Sequence, residues 1–278
     1  MTRWIVAMML VATVASGGSA GYGIPGPGPG SSFFVDACLG RISGMSCVNK
    51  FGHNEDIDTA SPEIVWEAGG SYTGDDATVA DFVDLISTSA DDNPAGAGAR
   101  TVHIFGLDEN WELQDEVIAM NGLGDATSLG KYLRVFRMIV ETAAAGGGNL
   151  GIITTRPDGG LGNPAHVFGE MIANFSQSMI AAYTIPAGKT GYIINWYAAL
   201  AGTNAANATI RLEARPPGAV YSTKEIWALR SAGTGLADRN YPLPKGPFVA
   251  KTDIMVRAFV SANNSEISAG FSVLLVDD

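Results

Sequence analysis

The chain has 278 residues, with 17 Lys and Arg against 28 Asp and Glu, a formal net charge of -11. Only 16% of residues are charged, while 46% are hydrophobic, and glycine (35) and proline (13) are abundant. That apolar fraction excludes disorder for the body, the lack of a three-residue glycine period excludes collagen, and the acidic balance argues against nucleic acid as a partner.

The first twenty residues, MTRWIVAMMLVATVASGGSA, open with one Arg, continue as an apolar run from Trp4 to Ala15, and end in small residues. The run is too short for a membrane span, which needs about 20 residues. It has the order of parts of a secretory signal, with Gly18 and Ala20 placed for cleavage. It also suits an apolar docking arm, with Trp4, Ile5, Val6, Met8, Met9 and Leu10 as its contact residues. GYGIPGPGPGSS (21–32) follows. Alternating Pro and Gly hold neither helix nor ladder, so this stretch reads as an extended tether.

From about residue 33 the pattern is β. Ser61–Glu67 has room for one helical turn, with Pro62 at a first helical position. Val79, Phe82, Val83 and Ile86 fit a helical spacing but also a short strand, and strand is the expectation. Arg100–Leu107 alternates, with Val102 and Ile104 on one face. Asp108-Glu109-Asn110 is a turn, and Glu112–Met120 resumes an extended run, which predicts a hairpin. Tyr132–Thr142 alternates again through Leu133, Val135 and Ile139. Further runs lie at Gly151–Thr155, Ser178–Ile185, Thr190–Leu200, Thr209–Ala214, Asp253–Ser261 and Ala269–Val276. In two of them the faces are explicit. Ile210 and Leu212 point inward with Arg211 and Glu213 outward, and Ile254, Val256, Ala258 and Val260 share a face.

Short strands separated by Gly/Pro turns predict an all-β fold of two sandwich or jelly-roll-like domains. The longest glycine-rich stretch in the body lies near 146–164. The expected division is an arm and tether over 1–32, a first β domain over 33–148 and a second over 149–278.

Little in the chain carries chemistry. There is no G-x-S-x-G, and His53, His103 and His166 are scattered. No catalytic residue, cofactor or metal site is expected. GAGA (96–99) and GGGN (146–149) lack the following helix of a phosphate loop and read as turns. Asp56/Asp58, Asp75/Asp76 and Asp91/Asp92 raise a calcium question, but none matches an EF-hand, and turn residues capping their own backbone account for them. Cys38 and Cys47 have eight residues between them. Two unrelated cysteines, a local disulfide and a cross-link between chains all remain open. Trp66, Trp111, Trp196 and Trp227 are either core residues or contact aromatics for a neighbouring subunit or a glycan.

Five runs carry a resemblance: CVNKFGHNEDIDTASPEIVWEAGGSYTG (47–74), SADDNPAGAGARTVHIFGLDENW (89–111), VIAMNGLGDATSLGKYLRVFRMIVETA (117–143), AAYTIPAGKTGYI (181–193) and VSANNSEISAGFSVLLVD (260–277). The sequence over 44–278 resembles a group of virion structural proteins of tailed, mostly marine, phages. The signal-like arm is not a feature of that group. The resemblance implies a part of a phage particle with no enzyme activity, in contact with other capsid or tail proteins, and most simply a homotrimer. The expected role is on the virion exterior, as a head decoration or a fibre or spike component docked through the arm. One alternative is a receptor- or glycan-binding tail module facing a host surface glycan. Another is a secreted or periplasmic bacterial β-sandwich binding protein.

Overall fold

The computed structural model describes residues 32–70, 72–145, 147–158, 166–201, 206–231 and 235–278. The arm residues Trp4, Ile5, Val6, Met8, Met9 and Leu10 lie outside them.

In chain order the elements are α1 (Phe33–Cys38), β1 (Met45–Ile57), β2 (Glu63–Ile64), β3 (Val83–Ser87), β4 (Ala99–Leu107), β5 (Leu113–Ala119), β6 (Ala126–Thr127), β7 (Arg134–Ala143) and β8 (Ile153–Pro157). They continue as β9 (Gly169–Met171), β10 (Ala182–Thr184), β11 (Lys189–Ala201), β12 (Ala206–Arg215), β13 (Ser222–Ser231), β14 (Gly235–Phe248), β15 (Asp253–Val260) and β16 (Ser265–Asp277). The fold is all-β, as the alternation predicts.

Four antiparallel sheets pack in two pairs. One pair sets β1-β16-β11-β14 against β10-β15-β12-β13, with β2 added to β15. Its core holds Ile210, Leu212, Ile254, Val256, Ala258 and Val260, the residues that alternation turns inward, together with Phe271, Val273 and Leu275 from β16. The second pair sets β6-β3-β8-β9 against β5-β4-β7. Val83 and Leu85 meet Val102, Ile104, Ile118, Val135, Met138 and Ile153 in its core. The expected hairpin is β4–β5, with Val102 opposite Ile118 and Thr101 opposite Ala119.

The pairing does not follow the division expected at 148/149. β1 lies along β16, with Met45 opposite Val276. β3 pairs with β8, Val83 opposite Pro157, so one sheet spans the expected boundary. The second sheet pair is therefore inserted between β2 and β10 of the first. A bridge between Trp66 and Ile180 holds the two crossings side by side.

Two local expectations are corrected, and two strands are added. Residues 33–38 form a helix, not a strand. Six residues cannot sustain a helix alone. Here an ion pair from Arg41 to the buried Asp36 (2.9 Å) and a disulfide from Cys38 to Cys47 on β1 hold it in place. Ser61–Glu67 carries the short strand β2 instead of a helical turn. β13 and β14 follow no run read from the sequence. β14 includes Pro242, Pro244 and Pro247, and it tolerates them because it is the edge strand of its sheet.

Candidate functional site

The four tryptophans singled out by the sequence have separate fates. Trp66 is 3% exposed, donates its indole N–H to the Gly69 carbonyl at 2.7 Å, and meets Tyr72 edge-on. Trp196 is fully buried under Trp227, ring centroids 5.5 Å apart. These two are core residues, which corrects their candidacy as contact aromatics. Trp227 is half-buried against the first core, and Trp111 against the second. Trp111 is held in the left-handed region (φ 66°) by a turn in which Asp108 accepts the Asn110 and Glu112 N–H groups. It lies between Arg134 at 5.0 Å and Lys251 at 5.6 Å. Its carbonyl accepts the Ala187 N–H at 2.8 Å. It therefore ties the inserted sheets to the other pair.

The densest cluster of charged side chains lies at the same junction. Arg134 opens β7. Asp253 opens β15. Arg215 closes β12. Asp75 and Asp76 sit on the segment leading to β3. Alternation gives no hint of this meeting, because the partners come from four distant stretches. Arg134 Nε lies 3.4 Å from Asp253 Oδ1, and Arg215 Nη2 lies 2.9 Å from Asp253 Oδ2. Thr184 donates its hydroxyl to Asp253 Oδ1 at 2.6 Å. Arg215 also reaches Asp75 at 3.1 Å and Asp76 at 3.2 Å, and Tyr221 donates its hydroxyl to Asp75. Arg134 spends its Nη groups on the carbonyls of Ala77, Leu133 and Asp75. Burial pushes the Asp75 carboxyl above its ordinary value, and the charges of Asp253 and Asp76 push the same way, against the hydrogen bond from Tyr221 and the Arg215 guanidinium. Burial and then Asp75 raise Tyr221 as well.

Asp75, Arg134, Thr184, Tyr221 and Asp253 line a cavity of about 10 Å³, the room one water needs. The carboxylates are taken up by guanidinium, hydroxyl and backbone partners. The arrangement is a clamp between the two sheet pairs. The reading of Asp75 and Asp76 as solvated turn residues is corrected for Asp75, which is 6% exposed.

A second buried charge sits where β1 meets β7. Lys50 is 2% exposed and donates to the Phe136 carbonyl. Burial, and then the nearby Arg137, hold its ammonium well below the ordinary value. Arg137 lies over Phe51 and donates to the Asn49 carbonyl at 2.6 Å.

The three histidines meet carboxylates and a carbonyl. His53 meets Glu266 at 3.2 Å, His103 meets Asp115 at 2.7 Å, and His166 meets the Thr73 carbonyl at 3.0 Å. Among the described residues no histidine is paired with a hydroxyl or thiol. None of these residues forms a group of three His, Cys, Asp or Glu that could hold a metal. No helix among them is long and apolar enough to cross a membrane. Asp92 is wholly buried, and its carboxylate accepts the N–H groups of Ala99, Leu150 and Gly151 and the Ser87 hydroxyl. It therefore braces the turns around GAGA (96–99).

No known family matches the sequence, and no curated protein matches it. Solved structures that share some of its shape include three of infectious bursal disease virus. The chain is 12% identical to one from the Gx strain, over 84% of this chain and 72% of that one, at a TM-score of 0.24. The Gt strain gives 12% identity, 91% and 75% coverage, and 0.23. The VP2 subviral particle gives 13%, 84% and 72%, and 0.21. Overlap at that level leaves function to be argued from the residues of this chain.

Proposed function

We propose that the chain is a structural protein of a phage particle, carried on the exterior as a head decoration or a fibre or spike component and docked through its N-terminal arm. The observation that carries this reading is the way the tether joins the body. α1 follows the Pro/Gly stretch directly, and it is bound by the Cys38–Cys47 disulfide to a strand that pairs along most of its length with β16. An arm that docks a body needs such a fixed root, because a load on a frayed terminus peels the chain instead of holding it. α1 also presents Phe33 (52% exposed) and Val35 (50%) to the outside, beside the tether. Disulfides persist in oxidising surroundings, virion surfaces among them. The sequence resemblance over 44–278 supplies the phage context.

The disulfide equally favours the reading as a secreted binding protein, and that reading expects a mature chain starting at Gly21. Mass spectrometry of the N-terminus separates the two. The docking role is tested by deleting residues 1–30. The expected product is a folded body, with an unchanged melting transition, that fails to join particles. Incorporation at the full-length level would refute docking through the arm.

A further inference from the structure

Two outward sheet faces on opposite members of the two sheet pairs are built as a match. On the outer face of β13-β12-β15, Arg211 stands directly opposite Arg257 on the neighbouring strand. Like charges at such a position repel. One buried carboxylate, Glu213, offsets part of that repulsion, at 3.3 Å from Arg211 and 3.5 Å from Arg257. One acid against two guanidiniums leaves a positive centre. Exposed apolar side chains flank it. Ile226 (54%) is opposite Arg211, and Phe259 (42%) is two residues from Arg257 on the same face.

The outer face of β5-β4-β7 has the reverse arrangement. His103 at its centre lies between two exposed carboxylates, Asp115 at 2.7 Å and Glu141 at 3.7 Å. Val117 (49%) is opposite His103, and Leu113 (47%) is two residues from Asp115. Arg137, the other cation near this face, is folded onto Phe51 and the Asn49 carbonyl. One base between two acids leaves a negative centre, again with an apolar flank. Each face is three strands wide, and each reaches the free edge of its sheet, at β13 and at β5.

We propose that the first face of one copy of this chain docks on the second face of another. The contact joins unlike surfaces, so it is head-to-tail, and successive copies close into a ring when the rotation between them closes. Opposed charges then set partner and register, while the apolar flanks lose contact with water. The proposal does not depend on the virion reading, since such a ring serves a secreted protein as well.

The test uses two variants of the full chain, one per face: Ile226→Glu with Phe259→Glu, and Asp115→Lys with Val117→Lys. All four positions are exposed, and circular dichroism checks that each variant folds. Analytical ultracentrifugation then reads the mass. The parent is expected to associate at low salt and to dissociate as salt screens the charges. Each variant alone should associate at least about tenfold more weakly (about 1.4 kcal/mol). An equal mixture of the two should associate, because each supplies the face the other lacks. A monomeric parent overturns the proposal. So does a variant that associates like the parent, which would mean a face pairing with itself or a different interface, and so does a mixture that stays monomeric.

Discussion

Arg134 and Asp253, which are 119 positions apart in the chain, meet at 3.4 Å in the junction between the two sheet pairs. Both side chains are nearly inaccessible, at 6% and 8% exposed. Asp253 also receives Arg215 and the Thr184 hydroxyl, so its charge is matched from three sides. A buried ion pair often contributes little relative to an apolar replacement, but removing one partner leaves the other charge buried alone. Asp253→Asn keeps the shape and removes the charge that two arginines face. It should cost about 3 kcal/mol of unfolding free energy, read from the urea midpoint. A loss under about 0.5 kcal/mol, the size of an ordinary surface substitution, would show that the clamp does not rest on that charge.

The same residues show where sequence reading stops. β15 was legible because Ile254, Val256, Ala258 and Val260 repeat with a period of two on the core face. Only the second half of the strand, from Arg257, opens its other face to water, Asp253 and Met255 being buried as well. β11 was legible as a strand but not in phase. A register shift between Ile193 and Asn195 moves the inward set from Ile193 to Trp196, Ala198 and Leu200. Without that shift Trp196 cannot be assigned to the core. β7 has the same problem, since its register shift near Phe105 puts Met138 in the core and leaves Ile139 half-buried. The order of sheets was not legible either. β1 pairs with β16, and no local pattern encodes a partner more than two hundred residues away. The clamp shares that difficulty, since Asp75 looks like any turn acid until Tyr221 and Arg215 are placed beside it.

Glu67 carries a pH prediction. It lies just beyond the Trp66–Ile180 bridge, with Oε2 accepting the Met179 N–H at 3.1 Å. Burial lifts its carboxyl from 4.5 to about 8, against the pull of the Met179 and Ile172 N–H groups, and Glu170 and Glu55 add to the rise. The folded state therefore keeps a proton that the unfolded state has already released. Stability from this group is fully present below pH 4.5 and falls as pH rises towards about 8. Glu67→Gln removes the titration. The variant should be more stable than the parent at pH 8 and should show a shallower decline between pH 5 and pH 8 in urea midpoints. Parallel pH profiles for parent and variant would refute the assignment. Asp75 and Glu170 are also raised, so some slope should survive the substitution.

Gly98 is set by space, not by backbone angle. A Cβ there would lie 2.1 Å from Asp92 Oδ1 and 3.2 Å from the Asp91 carbonyl. Asp92 cannot retreat cheaply. Its carboxylate holds the Ala99, Leu150 and Gly151 N–H groups at 2.8, 2.9 and 2.8 Å, and each buried donor left unpaired costs about 1–3 kcal/mol. Gly218 is the opposite case, with φ at +73° and nothing within 4 Å of an added Cβ. Alanine there meets only the left-handed backbone penalty of about 1–2 kcal/mol. Gly98→Ala should therefore cost at least about 3 kcal/mol, and Gly218→Ala only the backbone penalty of about 1–2 kcal/mol. Chemical denaturation of the two variants side by side decides it. Equal losses would mean that the Asp92 hub relaxes around a methyl group and does not fix the path of the 89–99 turns.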